Sequence, residues 1–358
     1  MPTSDPVQRG LAPRSNAVDA RPVARRRAQR PLLVAAVVGF AVAGWLASRS
    51  ESLRLALGQS ASRPTSDPFR TFDLRNTAIA RDQIHSGGPP VDGIPSLSRP
   101  KFIAAAQARY LEPSDRVIGV VMEGATKAYP LKVLNYHEAV NDQIGKTPIA
   151  VTYCPLCDSV AVFDRRLSDE VLEFGISGLL YNSNVLLYDR RRDGGMSLWS
   201  QMKTASVAGP RVRTALKALP VELTTWSDWR ARYPETTVLS TDTGHQRDYS
   251  RSPYGGYFAT PDLMFPVEPV NRCLPLKTQV LGVWSDKAAI AFPISAFDSL
   301  KSRQETQAVV AGKELTLEFD PSSRSLRVVK AADELQWVYA FWFAWAAFHP
   351  ETDIYWLP

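Results

Sequence analysis

Histidine and cysteine are scarce in this chain, with four and three respectively among 358 residues. Three cysteines leave one odd in any pairing, and only two, Cys154 and Cys157, have metal-knuckle spacing. A rubredoxin-type iron site needs two such knuckles and is excluded. No G-x-x-x-x-G-K-[ST] or G-x-G-x-x-G follows a strand pattern, so phosphate loops are not supported. No G-x-S-x-G elbow is present, which removes a serine hydrolase of that type. His137-Glu138-Ala139-Val140-Asn141 is not a zinc-protease helix, because Asn141 stands where the second histidine belongs. Basic charge is also nearly missing from the body of the chain. Residues 1–30 hold seven arginines against Asp5 and Asp19, which is +5 of the total +6. About one net charge remains elsewhere, so no basic face points to nucleic acid.

What is present begins with an eighteen-residue uncharged run, 31–48. As a helix it would reach roughly 27 Å, enough for a bilayer core. Arginines crowd its N-terminal side, which predicts a cytoplasmic basic tail (1–30), a single-pass signal anchor (31–48) in the inner membrane, and a periplasmic or otherwise extracytoplasmic remainder. Cleavage after Ala41-Val42-Ala43 is the alternative, and it exports the same remainder. Residues 49–69 read as a linker and 70–358 as the exported domain, with folded sequence starting near Phe72.

Short β-branched runs separated by turns dominate that domain. Helices are expected over Lys101–Tyr110, Leu131–Val140, Ser227–Tyr233 and Trp337–Phe348. The fold class is α+β and β-rich, an internally duplicated sheet or barrel-like core. The duplication rests on three ordered landmarks. Val117-Ile118-Gly119-Val120 matches Val280-Leu281-Gly282-Val283, and Ala128-Tyr129-Pro130-Leu131 matches Ala291-Phe292-Pro293-Ile294. Trp226-x-x-Trp229-x-x-x-Tyr233-Pro234-Glu235-Thr236 matches Trp342-x-x-Trp345-x-x-x-His349-Pro350-Glu351-Thr352, and Leu172-Glu173-Phe174 is echoed by Leu317-Glu318-Phe319. The two unequal repeats run about 112–241 and 277–356. Only the first carries Cys154 and Cys157, so features private to it are the better site candidates.

Tyr153-Cys154-Pro155-Leu156-Cys157 lies between strand-like flanks, which places both thiols at the tip of a strand-turn-strand. A Cys2His site for copper or zinc would take His137 as third ligand, with His349 or the thioether of Met202 as further candidates. Two other readings stand beside it: an extracytoplasmic thiol-disulfide oxidoreductase with Cys154 as attacking thiol, or a scaffold with a structural disulfide. The scaffold would bind a ligand or a protein partner, which the sequence does not identify. Asn182, Ser183, Trp199, Gln201 and Asp92 are the candidate ligand-facing residues, each with a purely structural alternative as turn or core.

The ordered set GGPPxDGIP, AYPLxxLNxHExVND, TYCPLC, FGxSGLLYNSxxLxYDR, LWSQ and FAWAAFHPxT resembles the bacterial domain-of-unknown-function family 3179, over roughly residues 70 to 356. The resemblance implies an export signal or anchor and leaves the activity open. Family knuckles often continue with glycine where this chain has Asp158, a residue that tolerates positive φ less well.

Overall fold

The computed structural model describes residues 67–191 and 195–357. The predicted tail, anchor and most of the linker lie outside the described residues. Among the described residues no helix is long and apolar enough to cross a membrane.

Among the described residues strands form five sheets, and none closes into a barrel, so the sheet alternative holds there and the barrel-like one does not. The largest has nine strands. Its path runs Leu97–Ser98, Ala139–Ile144, Thr147–Cys154, Ser159–Asp164, Gln336–Phe341, Gln279–Trp284, Ala289–Pro293 and Asp353–Ile354, with Lys217–Leu219 paired to Ser159–Asp164. Every residue of Thr147–Cys154 and Ser159–Asp164 is buried. Both faces are therefore covered, which explains why β-branched residues run through the strands rather than alternating with polar ones. A five-stranded sheet includes the hairpin Phe174–Tyr181 and Asn184–Asp189, whose tip is Asn182-Ser183. Both tip residues have positive φ (49° and 63°), as a two-residue hairpin turn of type I′ requires.

One set of contacts occurs twice. Glu222–Thr225 pairs antiparallel with Arg116–Met122, and Gln336–Phe341 pairs antiparallel with Gln279–Trp284. Each is followed by a seven-residue helix, Trp226–Arg232 and Trp342–Phe348. Each helix leads to a short strand that runs parallel to the second hairpin strand. Trp229 Nε1 donates to Thr236 Oγ1 at 3.0 Å, and Trp345 Nε1 donates to Thr352 Oγ1 at 2.9 Å. Leu172-Glu173-Phe174 and Leu317-Glu318-Phe319 do not share this correspondence. Phe174 opens a strand of the five-stranded sheet, whereas Leu317–Phe319 lies inside Lys313–Asp320 of a separate three-stranded sheet.

Three helix expectations need correction. Leu131–Val140 is a helix only over Leu131–Leu134; Glu138 then turns left-handed (φ 56°) and Ala139–Ile144 is a strand. Pairing of those six residues with Thr147–Cys154 overrides a helix containing Asn135 and β-branched Val140. Lys101–Tyr110 is a strand, Phe102–Ala104, and a 3-10 turn, because the strand pairs with Thr237–Leu239. Gln336–Phe341 is likewise strand, and the helix begins only at Trp342.

Candidate functional site

The knuckle is a tight turn between two central strands. Cys154 pairs with Ser159, and Cys157 N–H donates to Cys154 O at 3.2 Å. Pro155 presets the first turn position, and Asp158 closes the loop at φ 47°. Asp158 thus adopts the left-handed conformation that glycine would take most easily.

Both cysteines are free and buried, 1% and 0% exposed. Their thiols converge on one acceptor, the Ser183 carbonyl, at 3.8 Å from Cys154 Sγ and 3.3 Å from Cys157 Sγ. That carbonyl comes from the type I′ tip of the neighbouring sheet. Burial, with the adjacent Cys154, pushes the Cys157 thiol well above its ordinary range. Ser183 Oγ and Asn182 Nδ2 are buried and have no hydrogen-bond partner among the described residues. Asn182 Oδ1 accepts from Glu268 N–H at 2.9 Å, so this side chain ties the tip to a later loop.

Beside the sulfurs lies a fully buried polar network. Gln201 Oε1 accepts from Ser159 Oγ at 2.5 Å and from Asn184 Nδ2 at 2.9 Å. Gln201 Nε2 donates to Thr152 Oγ1 at 3.0 Å and to Ser159 O at 3.2 Å. Gln201 therefore fastens the two knuckle strands and the Ser183 hairpin together, and does not face a ligand. Trp199 is also wholly buried, set edge-on against Phe174. Met202 is buried, and its N–H is held by Asn184 Oδ1 at 3.4 Å. Asp92 is elsewhere, held by Tyr188 and Arg190.

His137 is not directed at the sulfurs. Its Nδ1–H donates to Pro95 O at 2.7 Å, which leaves Nε2 to accept from the Tyr249 hydroxyl at 2.7 Å. Tyr249 in turn meets Thr243 Oγ1 at 2.6 Å. Both ring nitrogens are thus engaged. His349 stacks on Trp345 with ring centroids 3.9 Å apart, as Tyr233 packs on Trp229 at 4.4 Å. Each ring sits at the C-terminal end of its helix. Among the described residues no group of three or more His, Cys, Asp or Glu side chains could hold a metal. The donor set at the knuckle is two sulfurs and a carbonyl, and it does not fit a Cys2His site for copper or zinc.

Three side chains beside the knuckle, Glu138, Tyr254 and Tyr257, carried no clear signal in the sequence. Glu138 is buried with the Tyr254 hydroxyl donating to Oε1 at 3.0 Å, and burial raises its carboxyl to about 8. Burial and the neighbouring Glu138 raise the Tyr254 hydroxyl well above its ordinary range, and Glu138 O accepts from Tyr153 N–H at 2.8 Å, which places the acid beside the knuckle. Tyr257 donates to Leu156 O, inside the knuckle turn, at 2.7 Å. Tyr254 and Tyr257 bracket Gly255-Gly256, whose positions open to free space. The segment that carries Tyr254 and Tyr257 is therefore a cover over the knuckle, anchored by these two tyrosines.

These buried groups set a pH profile. Between pH 4.5 and about 8 the folded chain keeps a Glu138 proton that the unfolded chain has released. The associated stability is full below pH 4.5 and is lost as pH rises through 8, up to about 5 kcal/mol at about 1.36 kcal/mol per unit. His137 and His349 are lowered by burial from 6.5 to about 4. Their contribution is full above pH 6.5 and is lost as pH falls through 4. Urea unfolding across pH should show greatest stability near pH 6.5, and Glu138→Gln should flatten the alkaline limb. An unchanged alkaline limb in that variant would assign it to other groups.

No curated protein and no solved structure matches the chain. Residues 91–338, more than half of the chain and all of the knuckle, match the family described as Protein of unknown function (DUF3179), and the chain belongs to that family.

Proposed function

We propose that this is a membrane-tethered, extracytoplasmic protein whose Cys154 and Cys157 form a buried thiol-disulfide couple under a tyrosine cover. The observation that carries the reading is the convergence of both sulfurs on the Ser183 carbonyl from one hydrogen-bonded turn. Such a turn holds its end Cα atoms within about 7 Å, and disulfides span about 4.4–6.8 Å, so the pair closes without moving a strand. Oxidation breaks two S–H bonds, forms one S–S bond and passes two electrons and two protons to the disulfide of a carrier protein. That carrier becomes a dithiol. Glu138 is suited to exchange protons with this desolvated pair, since its raised pKa lies near neutrality. Exchange needs the Tyr254–Tyr257 segment to lift, because buried thiols are otherwise inert.

The uncharged run 31–48 with its arginine flank supports the tether and the exported orientation. The twice-occurring strand, helix and tryptophan contacts support descent of the two repeats from one duplicated unit, with the couple added to the first.

Burial of both sulfurs also favours a second reading, a permanent staple. Equilibration of the full chain against graded thiol-disulfide buffers separates the two. A carrier-like couple should have a midpoint between about −270 and −120 mV, whereas a staple falls below about −300 mV. A midpoint in the lower range would remove the redox function and leave a scaffold.

A further inference from the structure

A cavity of about 240 Å³ opens on the far side of the knuckle turn, between the starts of strands Arg116–Met122 and Gln279–Trp284. Its inner wall carries Asp158, the residue that follows Cys157, and Asp158 is 2% exposed. Arg116 and Gln279 occupy the same register in the two repeats, each three residues before the matched glycines Gly119 and Gly282. Both reach Asp158. Arg116 places its two terminal nitrogens 2.9 and 3.0 Å from the carboxylate, and Gln279 Nε2 donates at 2.8 Å. The repeats therefore frame one cleft, and the Arg-for-Gln difference puts a cation on one side of it.

Two terminal N–H bonds of a guanidinium satisfy Asp158, which leaves Arg116 three further donors in a fixed fork. The side chain of Arg116 is 34% exposed. The lining also includes Ser114, Thr225, Ser323 and Arg324. Arg324 is held in place by Asp298, which does not line the cavity. Each of the two guanidiniums is paired with one carboxylate, and each keeps three further N–H donors. Spare guanidinium donors from two sides suit an oxyanion, and the volume lies below the range of about 300–1,000 Å³ typical of drug-sized sites.

We infer that this inter-repeat cleft is a binding site for a small oxyanion-bearing molecule, a carboxylate or a phosphate, held by Arg116 and Arg324. The site stands apart from the thiol couple and does not depend on it.

Calorimetric titration of the full chain in detergent with succinate and, separately, inorganic phosphate tests this at low ionic strength. Saturable binding of one probe is expected, and which one distinguishes the two sources. Arg324→Gln, at an exposed position, should weaken it at least tenfold, and Arg116→Gln should abolish it. Arg75→Gln, an exposed ion pair outside the cleft, should change nothing. If Arg116→Gln does not fold, Arg324→Gln decides. Binding of neither probe, or equal affinity in Arg324→Gln and wild type, would overturn the inference.

Discussion

Gly119→Ala is expected to be among the most damaging single substitutions in this protein. A Cβ at position 119 would sit 2.0 Å from Cζ3 of Trp229, and one at Gly282 would sit 2.1 Å from Cε3 of Trp345. Neither indole can yield. Trp229 and Trp345 are wholly buried, and each is fixed by a threonine hydrogen bond at one edge and by a neighbouring ring, Tyr233 tilted against Trp229 and His349 stacked on Trp345. Overpacking usually costs about 1–3 kcal/mol, and a clash between strand backbone and an immovable ring belongs at or above the top of that range. That is a large part of the roughly 5–15 kcal/mol that holds a typical domain together. Urea unfolding should show the loss in Gly119→Ala and in Gly282→Ala. Adding Trp229→Leu to the first should recover part of it. Gly255→Ala, where nothing lies within 4 Å, is the matched control and should be nearly silent. A Gly119→Ala midpoint equal to wild type would show that the helix shifts freely on its strand, contrary to the packing described here.

Asp158→Ala should be comparably severe for an electrostatic reason. The carboxylate accepts from Arg116, Gln279 and the Tyr153 hydroxyl at 2.9 Å. Its removal strands a partly exposed guanidinium, a buried phenol and an amide together. Losing one partner of a buried ion pair costs about 3–5 kcal/mol. Alanine also tolerates the left-handed backbone at 158 poorly, which adds roughly 1 kcal/mol. Asp158→Asn keeps one acceptor oxygen and the tolerance for positive φ but also leaves the Arg116 charge unpaired, so it should retain more than half of the loss. The comparison is read from urea midpoints of the three proteins. A near wild-type midpoint in the asparagine variant would mean that hydrogen bonding and backbone conformation, rather than charge, account for the effect.

The knuckle was legible in the sequence because its determinants are local. β-branched flanks, Pro155 directly after the first cysteine and, directly after the second, Asp158, a residue type that can adopt positive φ, specify strand-turn-strand without distant information. The matched glycines and tryptophans were legible as a pattern, and the structure supplies the contact between them: the glycine makes room for the indole. His137 was misread because its surroundings are not local. The expected helix stops at Leu134, since the following residues find partners in Thr147–Cys154. The ring then meets Pro95, 42 positions earlier, and Tyr249, 112 positions later. Trp199 and Gln201 were read as candidate ligand-facing residues, but the direction each faces is set by sheet packing that no spacing reveals. Tyr254 and Tyr257 gave only a turn signal around two glycines, and nothing in that spacing indicates which surface the turn covers.

Whether the two sulfurs bond to each other is measured most directly by intact mass and metal content of the full chain. The protein would be taken from its membrane without reductant and alkylated before and after reduction. The account predicts a chain lighter by two hydrogen atoms, a Cys154–Cys157 bond opened by reductant, alkylation of Cys273 alone beforehand, and no stoichiometric metal. Three alkylated cysteines before reduction, or one metal ion per chain that disappears in Cys154→Ser, would contradict it.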